Sequence, residues 1–418
     1  MKSFYSSVRR RFLLFLTVFG PATITAMADN DAAGVATYQA AGASIGYPIL
    51  FVLFIITFLL GITQEMGIRL AVVTRKGLGD LIREHYGVKV SVFIFACLFL
   101  ANMGTIIVDV AAVKILSTIF HIPIIVGVVS MILIAFIVVI KGNYKVNQNI
   151  MLVVSLFYVA YIISAFKANP DWPAAISNLF VPHGAPLTPE YVRNYIIIGL
   201  GVLGTTITPW GQFFISSFAY DKKIEIDRLK YSQLETYWGA FITNFFSFFM
   251  VVATAATLFA NKIPMISSEQ AALAIKPFAG EIATTLFAIG VLNAGFMGII
   301  TVTLSTAYAF SEFFGLAGSL DASFNRGRAF YSIFVIQLII AGCIVLIPSV
   351  SLLSLAVYTQ GFNAMMLPFI FYYVIKLTNN PSVMGVYINK PYQQKIAIAG
   401  TIVISFASIL TLIFSLFP

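Results

Sequence analysis

Residues 25–37 read TAMADNDAAGVAT, placing Asp29, Asn30 and Asp31 side by side within the first long apolar segment of the chain. An ionised residue at the centre of a bilayer costs about 2.5–3.5 kcal/mol even on lenient insertion scales, so acids placed there need compensation. A second polar interruption, GTTITPWGQ from Gly204 to Gln212, falls in the sixth apolar segment. There Pro209 removes a helix hydrogen bond, and Gly204 and Gly211 loosen the backbone around it. A helix broken inside a membrane frees carbonyls and amides that lipid cannot satisfy, so it must line a cavity or be buried in protein. Two such breaks facing each other would offer backbone oxygens, a carboxylate and hydroxyls, which is the donor set of a hard cation.

The rest of the chain is built to hold these breaks at membrane depth. Its 418 residues have a mean hydropathy of +0.95 and include 39 Phe, and only 10% are charged. Soluble domains carry roughly 25% charged residues. Eleven apolar segments are near the length of about 20 residues needed to cross hydrocarbon: 12–41, 47–73, 91–116, 121–140, 149–166, 194–218, 238–260, 283–313, 329–347, 351–375 and 394–416. The net charge of +9 reflects positive-inside bias rather than a nucleic-acid surface. With the N-terminus in the cytoplasm, every Lys and Arg falls on the cytoplasmic side except Lys114, Lys167, Arg193, Lys262 and Lys276. Arg9, Arg10, Arg11, Arg75, Lys76, Lys222, Lys223, Arg326 and Arg328 are among those inside, and an odd segment count puts the C-terminus outside. The opening KSFYSSVRRR leads into a segment too long for a cleavable signal, so the first segment is expected to stay as an anchor. Cys97 and Cys343 lie in apolar segments as small hydrophobes. His85, His121 and His183 fall near segment ends or in loops and form no cluster.

The two breaks lie five segments apart, which is the spacing of an inverted repeat of five plus five helices with a discontinuous helix opening each half. The expected fold is therefore all-α and polytopic, a single transmembrane domain over 1–418. The first repeat covers 12–166, the second 194–375, and an eleventh helix 394–416. The longest external connection, 167–193, carries Pro and Asn/Asp turn signals. DKKIEIDRLK, 221–230, reads as a solvated connector.

Several of these stretches together resemble the Nramp family of divalent metal transporters over nearly the whole chain. They are FGPATITAMADNDAAGVATYQAAGASIGY, TQEMGIRLAVVTRKGLGDLIREHYG, KANPDWP and GTTITPWGQFFISS. The resemblance implies the LeuT-like fold and assigns site positions. The family's Asp-Pro-Gly-Asn falls on Asp31, Ala32, Ala33 and Gly34, keeping the metal-binding Asp as Asp31 but replacing the Asn ligand with Gly34. The carbonyl ligands would be those of Ala28 and Thr205. The family's Met-Pro-His falls on Thr208, Pro209 and Trp210, and its paired acids of the third segment fall on Ile106 and Asp109. The Gln of the tenth segment falls on Leu355, with Gln360 and Asn363 nearby but out of register.

These departures point one way. A methionine thioether is a soft ligand that favours transition metals, and the hydroxyl of Thr208 removes that preference. Gly34 beside Ala32 and Ala33 trims side chains, as a roomier site for a partly hydrated Mg2+ requires. The pattern resembles the Nramp-related magnesium transporters, with Mn2+ as a second substrate. Trp210 and Ile106 replace groups that could relay protons, which implies uncoupled flux. A proton-coupled Mn2+/Fe2+ symporter is the alternative. An amino-acid carrier on the same fold fits less well, because Asp31 would repel a substrate carboxylate. No catalytic motif such as HExxH or GxSxG occurs, so no enzyme, resident cofactor, nucleic-acid ligand or obligate protein partner is expected.

Other residues have structural readings beside functional ones. Asp29 could attract hydrated cations at a vestibule or pair with a base, and Asn30 reads as a packing or helix-end donor. Thr208 lines the site or bonds back to a carbonyl near Pro209. Asp109 could accept a proton, pair with Lys114 or charge a vestibule, while Trp210 and Gln360 read as vestibule or gating positions. Glu65 and Arg69, four residues apart, form an intrahelical ion pair near the cytoplasmic face, with gating as the lesser reading. Glu312 is expected to snorkel to the interface, and the run FFSFFM, 245–250, to face lipid or pack.

Overall fold

The computed structural model describes residues 13–114, 121–186, 188–265, 268–347 and 352–416, with no β-strand among them. The arginines 9 to 11 of the opening KSFYSSVRRR, and the segment ends at 12, 116 and 351, lie outside the described residues. The first five apolar segments form α1 (Pro21–Ala28), α2 (Ala32–Ile45), α3 (Leu50–Thr74), α4 (Leu78–Ala111), α5 (Ile124–Lys141), α6 (Tyr144–Ser155) and α7 (Val159–Lys167). A connecting helix α8 (Trp172–Phe180) precedes α9 (Pro189–Thr206), α10 (Pro209–Asp221), α11 (Leu229–Thr254) and α12 (Ser268–Phe314). α13 (Arg328–Val345), α14 (Leu352–Thr378) and α15 (Pro391–Leu416) complete the order. Among the described residues ten helical stretches are long and apolar enough to cross a membrane; with the broken first segment they account for the expected eleven.

Both breaks use one device. Between α1 and α2 the backbone of Asp31 is extended (φ −61°, ψ 176°), and its carboxylate accepts the Gly34 N–H at 2.6 Å. Between α9 and α10 Thr208 is likewise extended (φ −95°, ψ 143°), and its hydroxyl accepts the Gly211 N–H at 3.0 Å. Asp-x-x-Gly and Thr-x-x-Gly are thus equivalent N-caps, each supplying a partner to an amide that no preceding turn can satisfy. A second matched pair lies in the third helix of each half. α4 bends at Gly87 (φ 84°, ψ 173°) and α12 at Gly280 (φ 85°, ψ 174°). Residues with a Cβ avoid that region, so glycine permits both bends. α4 therefore starts at Leu78, well before the expected 91, and α12 at Ser268, before the expected 283. Among the described residues these two helices share the most extensive interhelical contact.

The connection 167–193, expected as turns, contains α8. Asp171 caps it by accepting the Ala174 N–H at 3.0 Å, and Pro173 sits in the first turn, where it loses no hydrogen bond. The loop 221–230 is anchored at its start rather than fully solvated: buried Asp221 accepts from the Tyr308 hydroxyl at 2.7 Å and from the Leu320 N–H at 2.9 Å. Large apolar side chains such as Phe58, Phe93, Leu100 and Phe406 are turned outward, as a lipid-facing surface requires. Within FFSFFM, Phe245 faces outward while Phe249 and Met250 are buried, so the run both faces lipid and packs.

Candidate metal centre

The two interruptions meet at the middle of the bundle. A Cβ built on Gly34 would lie 2.5 Å from the Asp29 carbonyl oxygen, 2.8 Å from Thr205 Oγ1 and 3.3 Å from Asp31 Oδ1. Gly34 is thus the point where the loop between α1 and α2 touches the end of α9. The room expected from its missing side chain is not open space in this arrangement, because Thr205 of α9 fills it. Asp31, Asp29 and Thr205 are all almost fully buried, and one carboxylate oxygen of Asp31 and the Thr205 hydroxyl have no hydrogen-bond partner. The Ala28 carbonyl accepts the Asp31 N–H at 3.0 Å. At the end of α9 the carbonyls meet no continuing turn, since Ile207 and Thr208 are extended and Pro209 has no N–H.

Asp109 of α4 reaches the same place. Its Oδ1 accepts the Ala32 N–H at 2.9 Å, beside the Asp31 cap, so two carboxylates share the positive N-terminal end of α2. Its Oδ2 is buried and without a partner. Room for this carboxylate comes from Gly298 of α12, where a Cβ would fall 2.3 Å from Asp109 Oδ2. Gly298 carries no local sequence signal for such a role.

The hydroxyl of Thr208 donates to Asp29 Oδ1 at 3.1 Å, while Gln64 Nε2 of α3 donates to Asp29 Oδ2 at 3.3 Å. Asn30 turns away and is fixed to α11, donating to the Thr243 hydroxyl at 2.9 Å and accepting from Ser247 at 2.7 Å. Its carbonyl accepts the Tyr158 hydroxyl at 2.8 Å, a contact between residues 128 apart that no sequence pattern announces. Trp210 is fully buried in the core beside Phe214, and its carbonyl accepts the Ser305 hydroxyl at 2.8 Å. Gln360 is buried where α14 presses on α9: its carbonyl oxygen would lie 1.9 Å from a Cβ on Gly204.

Ionic contacts hold the elements around this centre. The N–H groups of Gly20 and Thr23, at the start of α1, donate to Glu235 of α11 at 2.6 and 3.0 Å. Lys222, just past α10, donates to the Phe19 carbonyl and to Gln148 Oε1. Glu65 and Arg69 form the expected ion pair at 2.8 Å but are buried, joined by Gln233, Gln393 and Asn389. Glu312 does not snorkel. Its carboxylate accepts the Gly79 N–H at 2.9 Å and the Ser217 hydroxyl, capping α4 from within. Gly77 and Gly79 make this possible, because a Cβ on either would collide with the carboxyl group.

Among the described residues no three His, Cys, Asp or Glu side chains group as a metal cage, so carbonyls, hydroxyls and water must complete any coordination here. The family description "Natural resistance-associated macrophage protein-like", Nramp, matches residues 22–414. The chain belongs to the Nramp family. Members of this family are metal transporters, not enzymes. The Nramp chain is 26% identical to the divalent metal cation transporter MntH of Staphylococcus haemolyticus (strain JCSC1435), over 98% of its own length and 94% of that protein. It is 25% identical to MntH of Staphylococcus aureus (strain JH9), over 97% and 92%. Among solved structures, the Eremococcus coleocola manganese transporter superposes with a TM-score of 0.76 at 20% identity, covering 95% of the Nramp chain and 86% of that one. MhsT in complex with L-phenylalanine superposes at 0.66 with 12% identity, covering 94% and 97%. These likenesses give the fold, an all-α membrane bundle of the LeuT type.

Proposed function

We propose that this Nramp protein carries divalent metal cations, partly hydrated Mg2+ and also Mn2+, into the cytoplasm down their electrochemical gradient and without a coupled proton. The observation that carries the reading is the donor set at the two breaks. Asp29, Asp31, Thr205 and Thr208 are all oxygen donors, and Thr208 stands where the family resemblance places a methionine. Hard oxygens without sulfur or imidazole suit ions that release water reluctantly. Asp31 is the principal ligand, with the carbonyls of Ala28 and Thr205 and the hydroxyl of Thr208 completing the set, and Gly34 lets these groups approach one another. Two charges falling through the membrane potential gain about 4.6 kcal/mol per 100 mV, a roughly thousand-fold inward bias that needs no proton. In this reading the N-terminus is cytoplasmic and the C-terminus external, as the distribution of Lys and Arg favours. The repeats at 12–166 and 194–375 rock against each other around the site, with 394–416 as an added helix. A proton-coupled Mn2+ symporter keeps one point in its favour, the buried free oxygen of Asp109.

Liposomes loaded with a magnesium-sensitive dye, with a pH dye in parallel and with manganese, calcium and cadmium as competitors, test the reading. Magnesium uptake without acidification is expected, and Asp31→Ala should abolish it. Cadmium uptake without magnesium uptake would overturn the hard site, metal-dependent acidification would overturn the uncoupled mode, and wild-type flux in Asp31→Ala would remove that carboxylate from the site.

A further inference from the structure

The three buried acids near the breaks are not equivalent. Asp31 and Asp109 accept backbone N–H groups at 2.6 and 2.9 Å at the N-terminus of α2, where the helix dipole favours negative charge. Asp29 follows the last residue of α1 and so sits at the negative end of a helix. Its carboxylate meets only neutral side-chain donors, Thr208 at 3.1 Å and Gln64 at 3.3 Å, longer than the roughly 2.7–2.9 Å of charge-assisted bonds. It is 1% exposed, and a carboxylate buried in that condition stays ionised only with a cation beside it.

The neighbouring side chains are suited to share one. Gln64 is buried, its amide nitrogen points at Asp29, and its amide oxygen has no partner. Rotating the amide by half a turn would aim that oxygen at Asp29, a repulsive placement unless a positive ion lies between them. Gln212, one turn beyond Thr208 on α10, is equally buried and neither amide atom has a partner. Its oxygen would lie 3.9 Å from a Cβ on Gly67, on the same face of α3 as Gln64. Gly211 leaves room for the Thr208 hydroxyl, which would lie 2.7 Å from a Cβ there, with Asp29 Oδ1 beside it at 3.5 Å.

We infer that Asp29, Thr208, Gln64 and Gln212 form a second cation station, occupied in turn with the one at Asp31 and Thr205, through which a divalent ion passes on the α1 and α10 side of the breaks. The inference rests on the proposed metal transport and deepens it, by dividing one site into two stations. One carboxylate, one hydroxyl and two amide oxygens hold a divalent ion loosely enough to keep water, as a station for onward release must.

The test is a split between binding and flux, made on the full chain with Mn2+. Asp29→Asn should lower maximal Mn2+ influx into liposomes about ten-fold or more, while equilibrium Mn2+ affinity in detergent changes less than about three-fold. Asp31→Ala should instead lose Mn2+ binding. Gln212→Leu and Gln64→Leu, apolar replacements of similar size, should each reproduce the flux defect in part, which keeps the test open if Asp29→Asn fails to fold. Wild-type flux in all three variants would overturn the second station. So would a loss of affinity in Asp29→Asn equal to that of Asp31→Ala, which would place both acids on one ion, and so would displacement of the Mn2+ effect by sodium alone. If the wild-type protein moves no divalent ion, the transport reading fails first and this inference falls with it, a result distinct from intact transport with unaltered variants.

Discussion

α9 supplies Thr205 to the centre, and its seat depends on one glycine. A methyl group at Gly204 would lie 1.9 Å from the carbonyl oxygen of Gln360 and 2.8 Å from the Ala364 nitrogen, both backbone atoms of α14. Restoring an ordinary carbon to oxygen contact of about 3.3 Å would push the helices apart by about 1.4 Å. Overpacking of this kind costs about 1–3 kcal/mol, and a backbone neighbour that cannot rotate away puts Gly204→Ala toward the upper end. The change also removes a helical glycine, which returns about 1 kcal/mol. Gly199, on the same helix, is the internal control: a methyl there would meet only Ile49 and Val52 side-chain carbons at 3.8 and 3.9 Å. Gly199→Ala therefore keeps the propensity gain with no clash, and the two substitutions should differ in sign. Melting in detergent should rise slightly for Gly199→Ala and fall for Gly204→Ala. Metal uptake in liposomes should survive the first and fall in the second, because the displaced α9 carries Thr205 away from Asp31. Equal melting and equal uptake in the two variants would refute the claim that the close approach of α9 and α14 sets the geometry of the centre.

Two further outcomes follow from the surrounding anchors. Glu65→Gln or Arg69→Met should each cost about 3–5 kcal/mol in unfolding, because the partner is left charged and buried, while the double variant should cost less than the sum of the two; single costs below about 1 kcal/mol would show the pair to be dispensable. Burial pushes the Lys222 ammonium down from 10.5 to about 8, against a smaller opposing pull from Glu235. The folded protein thus releases this proton before the unfolded chain does, so stability relative to a Lys222→Met variant should rise as pH climbs from about 8 toward 10.5 and stay flat below 8. A melting difference that falls over that window would contradict the assigned direction.

What could be read from the sequence was local. Asp31 and Thr208 announce the two breaks because an N-cap, a nearby glycine and a proline act within one turn of the chain. The count of spans and the ion pair of Glu65 with Arg69 were legible for the same reason, since length and a spacing of four need no tertiary knowledge. What stayed hidden depends on partners far along the chain. Thr208 selects Asp29 across 179 residues, Asp109 finds its space over Gly298, and Glu312 turns inward because Gly77 and Gly79 leave room for it. The bends at Gly87 and Gly280 were missed because both glycines fall in charged stretches just ahead of the apolar segments, beside Glu84 and Lys89 and beside Lys276 and Glu281, where a glycine reads as a loop. α8 was within reach, since Asp171 followed by Pro173 is a helix-start pattern that turn signals obscured.

The twin bends of α4 and α12 share nearly the same torsion angles although their sequences differ. A machine whose halves are copies turned upside down possesses, in each half, the image of the other's posture. In the proposed transport cycle an exchange of postures between the halves would open one side of the membrane and then the other, and neither doorway would need a mechanism of its own. Stiffening one bend should then tilt the balance toward one side of the membrane, and stiffening its twin toward the opposite side.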